Sequence, residues 1–444
     1  MLMVVLYLVI SVLIIIFLTA RLKVHPFIAL LLVALLYGFL AGMPSADIIR
    51  SVNEGFGKTL GGIGLIIILG VIIGAFLENT GGAYAIAEKV LKVIGKDKVP
   101  STMGLIGWFV SIPVFADSGF LLLSSLNKSL SKKAKISLAG SAIALSLGLT
   151  ASHTMVPPTP GPIAASGILG ADLGLVLAIG IPVSIVALTA GIIFARKYVA
   201  KTYIDPNPQI SEKELKVRSE NAPGAFKSSL PVIVPILLIV LKSSLKAIEN
   251  LNGTLVNFFS FIGEPFIALL IGVFLALMLS KKLEKEMLST TGWTGKSLSD
   301  AASIILITGA GGIFGKVLQN SGIADVLGDT LAGLNLSIWL PFILAAAIKT
   351  AQGSSTVALI TTASIMAPLM EKLGFVDNLE KAMVVIAIGS GSAVVSHAND
   401  SFFWVVTQMS GMDTRMGYRM HTLGTLVLGT TAAIALFIAH LILN

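Results

Sequence analysis

Runs of apolar residues about as long as a bilayer is thick set the terms for this chain. Segments 2–20, 26–42 and 173–195 approach or exceed the ~20 residues an α-helix needs to cross the hydrocarbon core. Inside lipid every backbone N–H and C=O must find a partner within the protein, so such runs become helices. Composition agrees. The 444 residues are 55% hydrophobic and 12% charged, with a mean hydropathy of +0.92. Soluble domains carry about 25% charge. The first run has no basic stretch ahead of it, and Arg21 and Lys23 follow it, so it reads as a retained span and not a cleaved signal. The net charge of +8 fits the Lys/Arg excess of cytoplasmic loops, and no nucleic-acid partner is expected. Cysteine is absent, which excludes disulfides, thiolate metal sites and cysteine nucleophiles.

The stretch 149–162 departs from this pattern. An apolar run beginning at Ile136 meets Pro157, Pro158, Pro160 and Pro162, and a helix is expected to break there, within a segment 136–162. His153, Thr154 and Thr159 are the polar side chains beside the break. Irregular backbone at membrane depth must be buried in protein or line a wet cavity, so this is a candidate binding site. A second break is expected within 381–410, at 396–401, where His397, Asn399 and Asp400 lie.

Two other segments have apolar arms too short to span. In 101–126 the arms flank 112–119, which holds Asp117, Ser118 and Gly119, and lysines lie on both sides. In 337–370 the arms flank Lys349 and the run Gly353, Ser354, Ser355 and Thr356. Both read as re-entrant hairpins. The chain thus divides into a first repeat (1–200), a polar cytoplasmic linker (201–229) and a second repeat (230–444). Each repeat holds three spans, a hairpin, a broken helix and a final span, giving five full spans. The halves share weak echoes: 74–81 with 315–322, Ala116–Gly119 with 351–354, and Ser152-His153 with Ser396-His397. Paired interruptions of this kind point to a transporter binding site. An odd span number makes the repeats inverted. With both termini outside, the cytoplasmic segments hold 23 of the 31 Lys and Arg, as the positive-inside rule requires. The fold class expected is an all-α polytopic membrane protein of two inverted repeats whose hairpin tips meet near the midplane.

Asp117, Lys349 and Asp400 are ionisable groups in apolar surroundings, where an ionised group costs at least ~2.5–3.5 kcal/mol. They read as substrate- or proton-handling residues, against the plainer reading of a structural ion pair such as Asp117 with Lys349. His153 and His397 read as polar or proton-linked groups, against satisfied core histidines. The 353–356 run offers hydroxyls and helix N-termini to a carboxylate. No residue has metal-ligand spacing, so neither metal nor cofactor is expected. Gly57-Lys58-Thr59 and Gly295-Lys296-Ser297 lack the first glycine of a P-loop and follow no strand, which excludes ATP as the driving force. Gly70-x-x-x-Gly74 is a helix-packing spacing.

Several of these pieces together resemble the gluconate–proton symporter (gluconate permease, GntP) family. They are Pro113–Phe120 around Asp117, His153 with its prolines, Gly170–Gly174, Ile262–Ile271, Gln352–Val357, Ser396–Ser401 and Phe403-Trp404. The resemblance covers nearly the whole chain. It implies the ion-transporter superfamily fold, an elevator-like transport domain and a dimer-forming scaffold. It also implies proton-coupled uptake of gluconate, other sugar acids or, in one branch, D-serine. It assigns Asp117, His153, Lys349, 353–356, His397, Asn399 and Asp400 to the site. The chain departs from the family at Ala116, Ser118, Thr154, Thr159 and Phe402, where the family carries a bulky aromatic, an apolar residue, Gly, His and a small residue. Thr154 and Thr159 are where the sequence places substrate specificity.

The reading is a secondary transporter of a bacterial inner membrane for a small hydroxylated monocarboxylate, a homodimer coupled to protons, with sodium as the other candidate ion. Asp117, Asp400, His153 and His397 are the proton-coupling candidates. A carrier of D-serine or a related amino or hydroxy acid is the alternative, and a channel is a further one. Ser152 adjoins His153, which argues against a nucleophile–base pair and hence against a hydrolase.

Overall fold

A computed structural model describes residues 2–94, 98–206, 222–247, 253–323 and 336–443. Among them there is no strand. Four helices precede the first hairpin: α1 (Leu2–Ile16), α2 (Pro26–Leu40), α3 (Ser45–Asn79) and the amphipathic α4 (Gly82–Ile94). The hairpin is α5 (Val99–Ser111) and α6 (Ala116–Lys133). Then come α7 (Leu138–Met155), a break, α8 (Pro160–Leu169) and α9 (Leu173–Lys197). The second half runs α10 (Ala225–Ala247), α11 (Thr254–Ile262), α12 (Pro265–Leu277) and α13 (Trp293–Asn320). Its hairpin is α14 (Trp339–Gln352) and α15 (Ser355–Met366). After it come α16 (Asn378–Ser392), a second break, α17 (Ser401–Met409), the short α18 (Thr414–Gly417), a π-helical turn Tyr418–Thr422 and α19 (Leu423–Leu443).

Proline starts helices here as often as it stops them. The first break occupies only 156–159, and helix resumes with Pro160 and Pro162 in the first turn of α8, where a missing N–H costs no hydrogen bond. Asp172 then caps α9 by accepting from the Leu175 N–H at 3.0 Å.

Hydropathy alone underestimates two helices. The apolar run 60–77 belongs to α3, which begins at Ser45, and the apolar run from 301 belongs to α13, which begins at Trp293. The polar first turns of α3 carry a local ion pair, Arg50 with Asp47, and one between helices, Glu54 with Lys316 of α13 at 3.6 Å. Conversely, the expectation of ten full spans exceeds what length and composition support. Among the described residues five helices are long and apolar enough to cross a membrane, or six if the α11–α12 pair, bent by 67°, counts as one. α1 and α2 have 15 residues each, about 22 Å of helix. The hairpin arms and broken helices are shorter than a bilayer because they stop inside the protein. Of the expected linker 201–229, residues 207–221 lie outside the described residues, and α10 already begins at Ala225.

Packing builds the same arrangement twice. α5 lies along α7 and α7 along α9, while α14 lies along α16 and α16 along α19, and α9 and α19 pack together. α3 runs against α13, and the half-helices α8 and α15 pack on each other between them. Gly70 and Gly74 of α3 face the two irregular segments directly. A Cβ at Gly70 would sit 3.0 Å from the Pro158 carbonyl oxygen, and one at Gly74 would overlap the Pro113 carbonyl. The packing spacing thus serves a helix against irregular backbone, and not the helix-to-helix seam such spacing usually marks.

Gly74→Leu is therefore expected to lower the thermal stability of the purified protein, at the ~1–3 kcal/mol scale of overpacking. Gly57→Leu, where nothing lies within 4 Å of an added Cβ, is the matched control and is expected to be silent. Equal melting temperatures for the two variants would remove this contact from the account.

Candidate functional site

The two hairpin tips and the second break converge on one cavity of about 310 Å³, at the small end of the ~300–1,000 Å³ range of small-molecule sites. Its wall includes Asp117 from the first tip, His153 from the last turn of α7, Lys349 and Gly353–Thr356 from the second tip, and Asn399 and Asp400 from the second break.

Three helices point their N-termini at this space: α6 (Ala116, Asp117), α15 (Ser354–Thr356) and α17 (Asp400–Phe402). The first-turn N–H groups of a helix have no intrahelical acceptor, and its N-terminus carries roughly half a positive charge. The tips differ in how they are finished. Ser354 caps α15 by accepting from the Val357 N–H at 3.3 Å, whereas Phe115 caps α6 with no side-chain hydrogen bond. Gly353 turns the second tip at φ 93°, and a Cβ there would overlap the Asn399 carbonyl.

Lys349, in the last turn of α14, is 1% exposed. It donates to Asp400 Oδ2 at 2.6 Å and to the Gly353 carbonyl. An ammonium has three N–H bonds, so one is left for a ligand. Asp400 is held on every side. Its Oδ2 also accepts from Ser396 Oγ at 2.5 Å, and its Oδ1 accepts from the Phe402 N–H at 3.0 Å, which makes it the N-cap of α17. A buried ion pair persists only when its remaining lone pairs are satisfied in this way. Asn399 spends its amide N–H bonds on the carbonyls of Thr350 at 2.9 Å and Ala351 at 3.1 Å, closing the C-terminus of α14.

Three buried polar atoms on the cavity wall have no protein partner: Asp117 Oδ1, His153 Nδ1 and Asn399 Oδ1. Buried polar groups are normally paired, and each exception calls for a reason. Two of these atoms are acceptors only, and Nδ1 takes either role with the tautomer. Lys349 and three helix N-termini supply positive charge. The wall is suited to a small anion that also carries hydrogen-bond donors. Among the described residues no group of three or more His, Asp or Glu is placed to hold a metal ion.

The sequence expectations divide here. Asp117, His153, Lys349, Gly353, Ser354, Ser355, Thr356, Asn399 and Asp400 come together. Ser118, Gly119, Thr154, Thr159 and His397 do not line the cavity. Gly119 faces the Leu149 side chain, a contact between α6 and α7. Thr154 is one position, about 100° of helix, past His153 and turns away. Its hydroxyl donates to the Thr150 carbonyl at 3.0 Å, and that of Thr159 donates to the Val156 carbonyl at 2.7 Å. The specificity expected at these two threonines therefore has no contact to act through. His397 has its Nε2 2.8 Å from the Thr350 carbonyl and stacks on Tyr418. The anticipated pairing of Ser152-His153 with Ser396-His397 also fails in space, because His153 is helical and His397 lies within its break. The ion pair is Lys349 with Asp400, and not with Asp117.

Phe115, Ala116, Thr150, Gln352, Ala393, Ser396, Ser401 and Phe402 complete the wall without having been anticipated as site residues. Thr150 was findable, since it lies one turn from His153 on the same face of α7. Ala116 and Phe402 are the two family departures that do reach the cavity. Phe402 packs edge-on against Phe120, with ring centroids 6.1 Å apart.

The fold is that of a polytopic membrane protein, and the family it matches makes it a transporter and not an enzyme. The family described as "GntP family permease" matches residues 3–442, and the chain belongs to that family. It is 33% identical to the gluconate permease of Pseudomonas aeruginosa, over 96% of this chain and 95% of that protein. It is 32% identical to the D-serine transporter DsdX of Escherichia coli, over 98% of each. Among solved structures it is similar to the Alcanivorax borkumensis YdaH transporter, with a TM-score of 0.65 and 13% identity over 93% of this chain and 97% of that one, a likeness of fold.

Gly353→Ala is expected to abolish ligand-induced thermal stabilisation, because the left-handed turn alone costs roughly 1–2 kcal/mol for a residue with a Cβ and the added methyl displaces Asn399. Retained stabilisation would mean that the second tip is not part of the ligand's wall.

Proposed function

We propose that the chain is a secondary active transporter that takes up a small hydroxylated monocarboxylate, gluconate or a related sugar acid, together with a proton. The observation that carries this reading is the set of three unpartnered polar atoms on residues that line one cavity, a cavity that also holds a buried lysine and three helix N-termini. The ligand's carboxylate takes the remaining N–H of Lys349 and the free N–H groups of α15, while its hydroxyls donate to Asp117 Oδ1 and Asn399 Oδ1. Ser355 and Thr356 add hydroxyls to the same wall.

Charge balance permits coupling to a cation. Asp117, Asp400 and a bound carboxylate make three negative charges against one lysine. Three helix N-termini offset about half a charge each, so the filled site stays within about half a charge of neutrality with or without one proton on an aspartate. Asp117 is also the feature that favours the second reading, a carrier of D-serine or a similar amino acid, because a carboxylate with a free oxygen suits an ammonium group.

The repeated element order supports two inverted repeats with re-entrant hairpins, moving as an elevator against a scaffold of α1–α4 and α10–α13. In the same reading the domains are 1–200 and 230–444, both termini face outward, the membrane is a bacterial inner membrane and the protein is a homodimer.

A thermal-shift screen of purified protein against gluconate, glycerate, fructuronate and D-serine tests the substrate class. Lys349→Ala leaves Asp400 buried and unpaired, so it is expected to lower stability by about 3–5 kcal/mol and to lose every ligand shift. Lys349→Ala with Asp400→Ala is expected to regain stability without regaining the shifts. A ligand shift in the double variant would make Lys349 purely structural. In proteoliposomes, uptake that ignores an imposed pH gradient would remove the proton.

A further inference from the structure

Behind Asp400, on the side away from the cavity, lies a buried histidine that the cavity wall does not include. His421 is fully buried in the π-helical turn 418–422. π-Helical turns are rare and are frequently found at functional sites. This one brings three side chains of a single segment onto one residue of the second break, Ser396. His421 Nε2 lies 3.0 Å from Ser396 Oγ, the Thr422 hydroxyl donates to the Ser396 carbonyl at 2.6 Å, and the Ser396 N–H donates to the Thr425 hydroxyl at 3.1 Å. On the far side of the imidazole, Nδ1 lies 3.2 Å from Ser146 Oγ, and Ser146 Oγ is also 2.9 Å from the Ile143 carbonyl.

Donor counting along this row gives a definite result. An ionised carboxylate only accepts, so Ser396 gives its hydroxyl hydrogen to Asp400 and must accept from His421, which therefore carries a hydrogen on Nε2. In neutral His421 the Nδ1 lone pair accepts from the Ser146 hydroxyl. If Nδ1 gains a proton, Ser146 turns its hydrogen to the Ile143 carbonyl and accepts from Nδ1 instead. Both charge states of the imidazole are thus fully hydrogen-bonded with no heavy atom moving. A histidine whose second nitrogen faces only a carbonyl or only an N–H has a partner in one state alone, and the other leaves a buried atom unsatisfied.

We infer that His421, through Ser396, is a positioning residue that holds the co-transported proton and passes it to Asp400. This rests on the proposed proton-coupled uptake of an organic acid and assigns its proton to the Asp400 side of the cavity, not to Asp117. In the empty site Asp400 is neutralised by Lys349. When a substrate carboxylate takes the remaining N–H of Lys349, two carboxylates share one ammonium and Asp400 loses part of its counter-charge. Protonated His421 then gives its Nε2 hydrogen to Ser396 Oγ as Ser396 gives its own to Asp400 Oδ2. The Nε2–H and Ser396 O–H bonds break, a new Ser396 O–H and an Asp400 O–H form, and His421 is left neutral with its hydrogen on Nδ1. The two hydrogen bonds between His421 and Asp400 reverse, the one from Nδ1 to Ser146 keeps its direction, and none is lost. Substrate and proton thereby favour each other's binding, which is the reciprocal coupling a symporter needs.

Few other titratable groups compete for this role. Asp400 and Lys349 reach His421 through Ser396, His153 lies on α7 and Asp117 on α6 beside the cavity, and His397 stacks on Tyr418. Asp413, Arg415 and Arg419, on the same stretch of chain, are exposed, and Arg419 donates to the Tyr198 hydroxyl at 3.0 Å. α17 carries no titratable side chain, and His440 lies at the far end of α19.

The test separates exchange of substrate from its accumulation, with gluconate as the probe in proteoliposomes. His421→Gln keeps an N–H donor but cannot carry a proton. It is expected to keep gluconate counterflow within about threefold while losing about tenfold or more of the accumulation driven by an inside-alkaline pH gradient, the scale of one charge-assisted hydrogen bond. Ser146→Ala, which removes the acceptor for protonated Nδ1 and leaves the row from His421 to the cavity intact, is expected to show the same split and guards against a folding defect in the first variant. Driven accumulation equal to wild type in both variants would overturn the assignment. So would counterflow and accumulation falling in parallel in both, the mark of a structural role. Wild-type protein that exchanges none of the acids would instead overturn the substrate reading on which the assignment rests.

Discussion

The Lys349–Asp400 pair is where the two irregular segments of the second half are joined. Lys349 ends one helix and Asp400 caps another, so the pair sets the distance between the hairpin tip and the break. Neither charge would survive burial alone, and each is satisfied by backbone and side-chain hydrogen bonds beyond the pair itself. The carbonyls freed at the end of α14 are covered by Asn399 and His397, both from the same break. Within apolar surroundings these requirements leave the two segments little choice of relative position, and the cavity is the space left between them and the first hairpin tip.

That cavity is polar because of how the chain stops. Three helices begin at its wall, and their first-turn N–H groups have no intrahelical acceptors. The sequence produces those starts with proline, serine and aspartate at the points where apolar runs are interrupted. The same interruptions prevent the hairpin arms and broken helices from spanning a bilayer. Architecture and binding chemistry thus come from one set of residues.

Much of this was legible from the chain itself. Interrupted apolar runs located both hairpins and both breaks, and isolated ionisable residues in those interruptions marked Asp117, Lys349 and Asp400. Boundaries were less legible. The polar start of α3 carries ion pairs, one of them to Lys316 near the far end of α13, which hydropathy cannot register. Side-chain direction was less legible still. Thr154 and His153 are neighbours in sequence, but the roughly 100° between successive helical residues decides that only His153 meets the cavity. His421 left no trace, because its meaning depends on a π-helical turn bringing it to Ser396. Nothing in the local sequence announces that meeting.

Seen mechanically, the face of α3 that meets the two proline-bearing segments is smooth. At Gly70 and Gly74 no side chain projects, and bare carbonyls rest against bare backbone. A seam of interdigitated leucines is a ratchet, since one body passes the other only after side chains unseat and find new rotamers. Backbone lying on glycine has no teeth. In the elevator motion proposed above, a body resting on Gly70 and Gly74 has no interlocked side chains to unseat at those two contacts.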